Sequence, residues 1–196
     1  MDLINELTFQ DETFKGLEYP RITLEKKEFE SCRFINCNFS SSHFSSCYFD
    51  GCTFDNCNLS TINVDDCVFR NVTFIHSKLL GILWFEIRKR GFSLFARYQA
   101  CILNYSSFYG LDLRKCTFDD VHAIEADFTE ADLSKVRFNN TDLSGATFYQ
   151  TNLKKADFTS AVNYQFNPSD NRVKDAAFSM PEAVNLLYGF GIKIRH

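Results

Sequence analysis

The chain has 196 residues, a formal net charge of −4 and a hydrophobic content of 45%, which fits one globular domain. Mild acidity argues against nonspecific binding to nucleic acid or to a membrane surface, and no stretch approaches the roughly 18 apolar residues that a bilayer span requires. Residues 1–12 are acidic and lack a basic segment followed by an apolar one, so they do not read as a secretory signal, and a cytoplasmic location is expected.

From Phe9 to Leu79 a large apolar residue falls at every fifth position, as in Phe29, Phe34, Phe39, Phe44, Phe49 and Phe54. After an interruption the ladder resumes one residue out of phase at Tyr98 and runs to Phe158, through Phe108, Leu113, Phe118, Phe128, Leu133 and Phe138. A period of five fits neither a helix nor a flat strand. Sustained over this length, it marks a solenoid. Two residues before most of the large side chains lies a small one, such as Cys32, Cys52, Cys101, Ala126 or Ala156. The position between the two is mostly polar, as at Asn38, Asn58, Asp112, Asp132 and Asp157. Each unit thus turns one small and one large side chain inward and leaves three positions for water.

All eight cysteines (Cys32, Cys37, Cys47, Cys52, Cys57, Cys67, Cys101 and Cys116) fall in the small inward register. A free cysteine packs there as a small hydrophobe. With no close Cys-x-x-Cys and no paired histidine, they read as structural thiols, and no metal or cofactor is expected.

The ladder slips between Trp84 and Tyr98, which are one residue short of three units apart. Either a coil has lost one residue, or two units are interrupted by a four-residue excursion around Arg88, Lys89, Arg90 and Gly91. One reading is a tolerated kink in the solenoid. The other makes Glu86, Arg88, Lys89 and Arg90 a projection that contacts a partner, because insertions in solenoids often map to a binding face.

The repeats are expected to end near Ala161, which divides the chain into a repeat region, 1–165, and a cap, 166–196. In the cap, 172–178 looks like a strand. Ser179 and Glu182 have the spacing of a capping box, with Pro181 in the first turn of a short helix. Gly189 or Gly191 would end that helix, and 192–194 would form a last strand. The tail holds more apolar residues than one short helix needs to cover an end. Phe178, Ala183, Leu186, Leu187, Phe190, Ile192 and Ile194 are therefore expected to seal the last coil and to form a homodimer interface.

Units such as 126–130, 131–135, 141–145 and 156–160 resemble the A(D/N)LXX motif of pentapeptide repeat proteins, and the resemblance covers roughly residues 7–165. It implies an all-β fold, a right-handed quadrilateral parallel β-helix with four units per square coil. Phe108, Phe128 and Phe148 would then stack in one column, Phe118, Phe138 and Phe158 in the opposite one, with leucine columns between. One coil buries four large side chains worth at best about 12 kcal/mol. Ordering its backbone costs about 20 kcal/mol or more. A lone coil loses, so stability has to come from stacking.

The tail, through Asn171–Lys174, Phe178, Ser179, Pro181–Ala183, Leu186, Leu187 and Gly191–Ile194, is similar to that of the Qnr/MfpA/McbG-type topoisomerase-protecting proteins. That resemblance implies a rod-like dimer that binds DNA gyrase or topoisomerase IV by mimicking duplex DNA and shields it from quinolones. The alternative is a rigid scaffold for a different partner. A mimic needs surface acids. Asp112, Asp119, Asp120, Glu125, Asp127, Glu130 and Asp132 would supply a belt in the second half, and Glu28, Glu30, Asp50, Asp55, Asp65 and Asp66 would serve in the first. Against them stands a basic column of Lys115, Lys135 and Lys155 with Arg114 and Lys154 beside it. Either acids face one way and bases another, or mixed charge merely keeps a rod soluble. The four histidines are scattered, no phosphate loop or nucleophile elbow occurs, and a filled solenoid offers no cleft. No enzyme activity and no direct contact with nucleic acid or membrane are expected.

Overall fold

The computed structural model describes residues 3–87 and 94–194. Among them the chain winds as a right-handed, four-sided parallel β-helix. Its strands are β1 (Thr8–Gln10), β2 (Thr13–Lys15), β3 (Thr23–Glu25), β4 (Glu28–Glu30), β5 (Arg33–Ile35), β6 (His43–Ser45), β7 (Tyr48–Asp50), β8 (Thr53–Asp55), β9 (Val68–Arg70), β10 (Val72–Ile75), β11 (Ala96–Gln99), β12 (Thr117–Asp119) and β13 (Phe138–Asn139). β1, β4, β7 and β9 form one parallel sheet, β3 and β6 a second, and β2-β5-β8-β10-β11-β12-β13 a third that runs along most of the rod. Partners are 20 residues apart, as in Phe9↔Phe29, Phe34↔Phe54 and Phe118↔Phe138.

Asn or Asp before the large side chain makes a unit a turn and not a strand. None of the strands has Asn or Asp there. Where Asn or Asp stands, its Oδ1 accepts the backbone N–H two residues on, as Asn58 does from Ser60 (3.1 Å), Asp132 from Ser134 (3.0 Å) and Asp157 from Thr159 (3.0 Å). This local bond bends the backbone that would otherwise extend. The second residue after the large side chain turns most corners, with φ near +50 to +67° at positions such as Asn36, Asn56, Asp120, Glu125, Glu130 and Lys155. That region costs a non-glycine residue about 1 kcal/mol. Each such corner recovers a ladder bond in return: Asn36 N–H donates to the Asp55 carbonyl at 3.0 Å and Glu125 N–H to the Ser144 carbonyl at 2.8 Å.

Four columns of large side chains fill the core. On the first face stand Phe9, Phe29, Phe49 and Phe69, then Leu113, Leu133 and Leu153. The second face carries the longest aromatic stack: Phe14, Phe34, Phe54, Phe74, Tyr98, Phe118, Phe138, Phe158 and Phe178, with successive rings 4.6–5.4 Å apart. The third holds Phe39, Leu59, Leu79, Leu103, Ala123 and Leu143, and the fourth Phe44, Val64, Trp84, Phe108, Phe128 and Phe148. Rings of the second and fourth faces meet edge to face across the core, Phe108 with Phe118 at 87° and Phe118 with Phe128 at 90°. Offset stacking along a column and edge contact across it are the two favourable ring geometries.

The small register does more than fill space. Sγ of Cys47, Cys52, Cys57 and Cys67 donates to the carbonyls of Leu24, Phe29, Phe34 and Phe44 at 3.3 Å, always 23 residues back. Ser77 and Thr151 do the same with their hydroxyls, to Phe54 at 3.2 Å and Phe128 at 2.9 Å. All eight cysteines are free and buried.

Two irregularities define the rod. At the slip the register rises by 24 instead of 20, as Val72↔Ala96, Lys78↔Ile102 and Leu83↔Ser107 demonstrate. The turn is therefore longer than the others by four residues; it has not lost one. The ladder, expected to end near Ala161, continues through Asn152↔Arg172 and Asp157↔Ala177, and Phe178 stacks on Phe158 at 5.2 Å. Residues 172–178 are thus two bridges joined by a turn, not one strand.

The two ends are closed differently. Lys27, 4% exposed, lies at the amino end and its Nζ donates to the carbonyls of Ile4 (2.6 Å) and Glu6 (2.5 Å). At the carboxy end a 3-10 turn, Glu182–Val184, leads into the only α-helix among the described residues, α1 (Asn185–Gly189). The expected capping box does not form. Ser179 Oγ donates back to the Thr159 carbonyl, while Glu182 accepts from Asn163 N–H (2.9 Å) and Asn185 Nδ2 (3.0 Å), tying the cap to the coil. Residues 192–194 form no strand; Ile192 N–H donates to the Leu187 carbonyl at 3.2 Å. Gly189 lies so close to the last coil that a Cβ there would stand 2.1 Å from the Phe166 carbonyl oxygen.

Candidate interaction surfaces

With the core filled, function has to lie on the outside. The register distributes the seven acids of the expected belt over all four faces. Asp119 and Asp120 belong to the second face, beside Asn139 and Asn140, whose side-chain amides they accept at 2.5 and 3.0 Å. Glu125 turns a corner of the third face. Asp127 sits on the fourth face, where it accepts from Ser107 Oγ at 2.9 Å, and Glu130 turns its corner. Asp112 and Asp132 stack on the first face. Arg114 chelates Asp112 there at 2.7 and 2.8 Å and reaches Asp132 at 3.7 Å. Asp112, Asp127 and Asp132 each also commit one oxygen to a turn. The sequence order of these acids conceals their separation, because face membership repeats only every fourth unit.

A different acidic line emerges along the corner between the fourth and first faces. Asp66 N–H donates to the Glu86 carbonyl (3.1 Å), and further along the same corner Glu130 N–H bonds the Tyr149 carbonyl (2.8 Å) and Gln150 N–H the Asp170 carbonyl (2.9 Å). Asp66, Glu86, Glu130 and Asp170 therefore share this corner, with Gly110 between Glu86 and Glu130 and Gln150 between Glu130 and Asp170. Exposed tyrosines accompany the acids, Tyr109 and Tyr149 on the fourth face, and the Glu130 carboxylate beside Tyr109 raises that phenol's pKa through a hydrogen bond. Glu86 ends a 3-10 turn, Trp84–Glu86, and accepts from Asn63 at 3.0 Å. Its expected companions Arg88, Lys89 and Arg90 lie outside the described residues.

Seven of the 21 basic residues are gathered on one strip. Arg114, Lys115, Lys135, Lys154, Lys155, Arg172 and Lys174 are all exposed on the first face or its edge. Ladder bonds Lys135 N–H to Lys154 carbonyl and Lys155 N–H to Lys174 carbonyl, both 3.0 Å, tie successive coils together here.

At the cap the seven expected interface residues divide. Phe178 and Leu186 lean on the core. Ala183 and Ile194 are half-buried, while Leu187, Phe190 and Ile192 are 40, 49 and 47% exposed and adjoin Met180 and Tyr188. An apolar patch is thus left exposed at the carboxy end of the rod.

The thiols offer no chemistry to a solvent-borne reagent. Burial pushes Cys52 and Cys116 up to about 12 and Cys101 to about 11. A hydrogen bond from the Cys57 thiol lowers Cys37 to about 7, yet Cys37 is itself buried. Among the described residues no cluster of His, Cys, Asp and Glu could hold a metal, and no helix is long and apolar enough to cross a membrane.

A family model described as "Pentapeptide repeat region" matches residues 27–92 and 95–179. No curated protein matches significantly. Among solved structures, that of a trypsin-treated variant of QnrB1, a plasmid-mediated fluoroquinolone resistance protein, superposes with a TM-score of 0.70 at 18% identity, over 96% of this chain and 98% of that one. HetL of the cyanobacterium Nostoc, a pentapeptide repeat protein involved in heterocyst differentiation regulation, gives 0.62 at 16% identity over 90% of both chains.

Proposed function

Because the chain belongs to the pentapeptide repeat family, we propose that it acts without catalysis, as a rod that binds DNA gyrase or topoisomerase IV and protects it from quinolones or a related toxin. The observation that carries this reading is the extent of the likeness to QnrB1, a fluoroquinolone resistance protein, which spans rod and cap together. The acidic corner of Asp66, Glu86, Glu130 and Asp170 supports it too, since a surface that stands in for duplex DNA must offer negative charge along its length to a cationic groove. The cap patch around Leu187, Phe190 and Ile192 suits a homodimer joined end to end, which would double the length of that corner. A supercoiling assay tests the reading: the purified protein, titrated into gyrase with ciprofloxacin, restores supercoiling. No effect on gyrase or topoisomerase IV over a wide concentration range refutes it.

A second reading rests on HetL, which is involved in regulating differentiation and whose fold is nearly as similar. The rod would then be a scaffold for a different protein. Recovery of such a partner from a native cell extract, with neither topoisomerase present, favours it.

A further inference from the structure

The net charge of −4 is not spread evenly. Over residues 112–174 the first face and its edge hold Lys115, Lys135, Lys154, Lys155, Arg172 and Lys174, all exposed and none in an ion pair among the described residues. Arg114 is the one cation there that its neighbours neutralise. Coils repeat about every 4.8 Å, so these six cations span three coil steps, about 14 Å. That is one positive charge per ~2.4 Å of axis, close to the one negative charge per ~1.7 Å that a duplex presents.

The same stretch excludes a protein partner of ordinary kind. Its other outward residues are Asp112, Asp132, Ser134, Asn152 and, at the corner beyond Lys155, Asp175, with no aromatic or aliphatic side chain among them. A protein interface needs an apolar centre and is depleted in lysine. Binding to single strands relies on aromatic side chains on which bases stack, and there is none here. A flat, wholly polar, regularly charged strip suits a backbone of phosphates. The surface around Arg114, Lys115 and Lys135 is slightly hollowed, with a shallow recess lined also by Asp112 and Ser134.

We propose that this strip binds the phosphate backbone of duplex nucleic acid, without reading its sequence. The overall acidity, which argues against such binding, is an average over the whole rod, whereas units 111–115, 131–135, 151–155 and 171–175 of this face hold seven cations against Asp112, Asp132 and Asp175, with Glu130 and Asp170 at its other edge.

The test is fluorescence anisotropy with a labelled 20-base-pair duplex, and no topoisomerase takes part, so its outcome is independent of the function proposed above. With four to six phosphates neutralised, affinity falls at least about 100-fold between 50 and 200 mM salt. The Lys115→Glu/Lys135→Glu/Lys155→Glu variant binds at least tenfold more weakly, whereas Asp119→Asn/Asp120→Asn does not. Glutamate already turns corners at Glu125 (φ 54°) and Glu130 (φ 59°), as Lys135 (67°) and Lys155 (60°) do, so the triple variant keeps its backbone. An unchanged circular dichroism spectrum checks this. The proposal is overturned if the duplex does not bind at 50 mM salt, or if the triple variant binds like the parent. It is also overturned if a single strand or polyglutamate competes better than duplex, or if only vesicles containing phosphatidylserine bind.

Discussion

Replacing Gly189 by alanine should release the cap while sparing the rod. The added Cβ would lie 2.1 Å from the Phe166 oxygen, 2.5 Å from its carbon and 2.8 Å from Asn167 nitrogen, all backbone atoms of the last coil. Ordinary contact begins near 3.4 Å, so α1 has to withdraw by about 1.3 Å or detach. Forcing such contacts costs about 1–3 kcal/mol. Detachment sets a ceiling, because the helix can lose no more than its own docking energy, chiefly Leu186 against the core, about 1.5–3 kcal/mol. Stability in a solenoid is summed over neighbouring layers, so the loss stays local. At 1.4 kcal/mol per tenfold, a cost of about 2–3 kcal/mol speeds amide exchange at Phe190, Gly191 and Ile192 roughly 30- to 140-fold. Exchange at Asn58 and Thr73, deep in the ladder, does not change. Unaltered protection in the cap would refute the steric argument, and uniform acceleration along the chain would refute the local one.

The Leu187→Glu/Phe190→Glu variant should be monomeric by light scattering with its circular dichroism intact, and an unchanged mass would remove those residues from any dimer contact. Lys27→Ala strips two carbonyls at the amino end of a charged donor, which costs about 2–3 kcal/mol and accelerates proteolysis near residues 3–10; equal resistance would show that the plug is dispensable. Asp50 is held below the usual carboxylate range by its hydrogen bond from Arg70, and Asp157 by that from the Thr159 hydroxyl. A depressed folded value gives stability that is present above the unfolded pKa of about 4 and lost as pH falls through the folded one. Melting temperature should therefore drop below about pH 4, and Asp157→Asn, which retains an accepting oxygen, should make that drop shallower without lowering the neutral-pH value. In native protein, finally, none of the eight buried thiols should react with a disulfide reagent on the timescale on which unfolded chain reacts fully; rapid labelling of Cys37, the thiol lowered to about 7, would show that the core opens there.

The fold was legible because Phe29, Phe49 and Phe69 announce their stacking by spacing alone, and because a small residue two positions ahead of most large ones shows which side is inside. The reason for cysteine, serine and threonine in that small register was not legible. Only the coil geometry brings Cys57 Sγ to the Phe34 carbonyl. The last coil escaped notice because Tyr164, Phe166 and Pro168 replace regular units between Phe158 and Phe178, although the interval of 20 between those two phenylalanines carries the register through. The capping box failed because Ser179 and Glu182 find better partners across the coil, in Thr159 and Asn163, than along the helix. Surface charge was least legible of all. Asp119 and Asp127 are near in sequence but on opposite faces, while Glu86 and Glu130 share a corner although the step of 24 between them breaks the 20-residue interval.

The step of 24 at the middle of the rod has a further consequence, which concerns angle rather than contact. A winding of four units per turn converts length into direction: five residues taken into the coil would turn everything beyond them by a quarter revolution. The four residues added here turn nothing. Lys78 still lies under Ile102 and Leu83 under Ser107, so both halves of the rod point the same way, and chain added as a loop at this site could vary freely without twisting one half against the other.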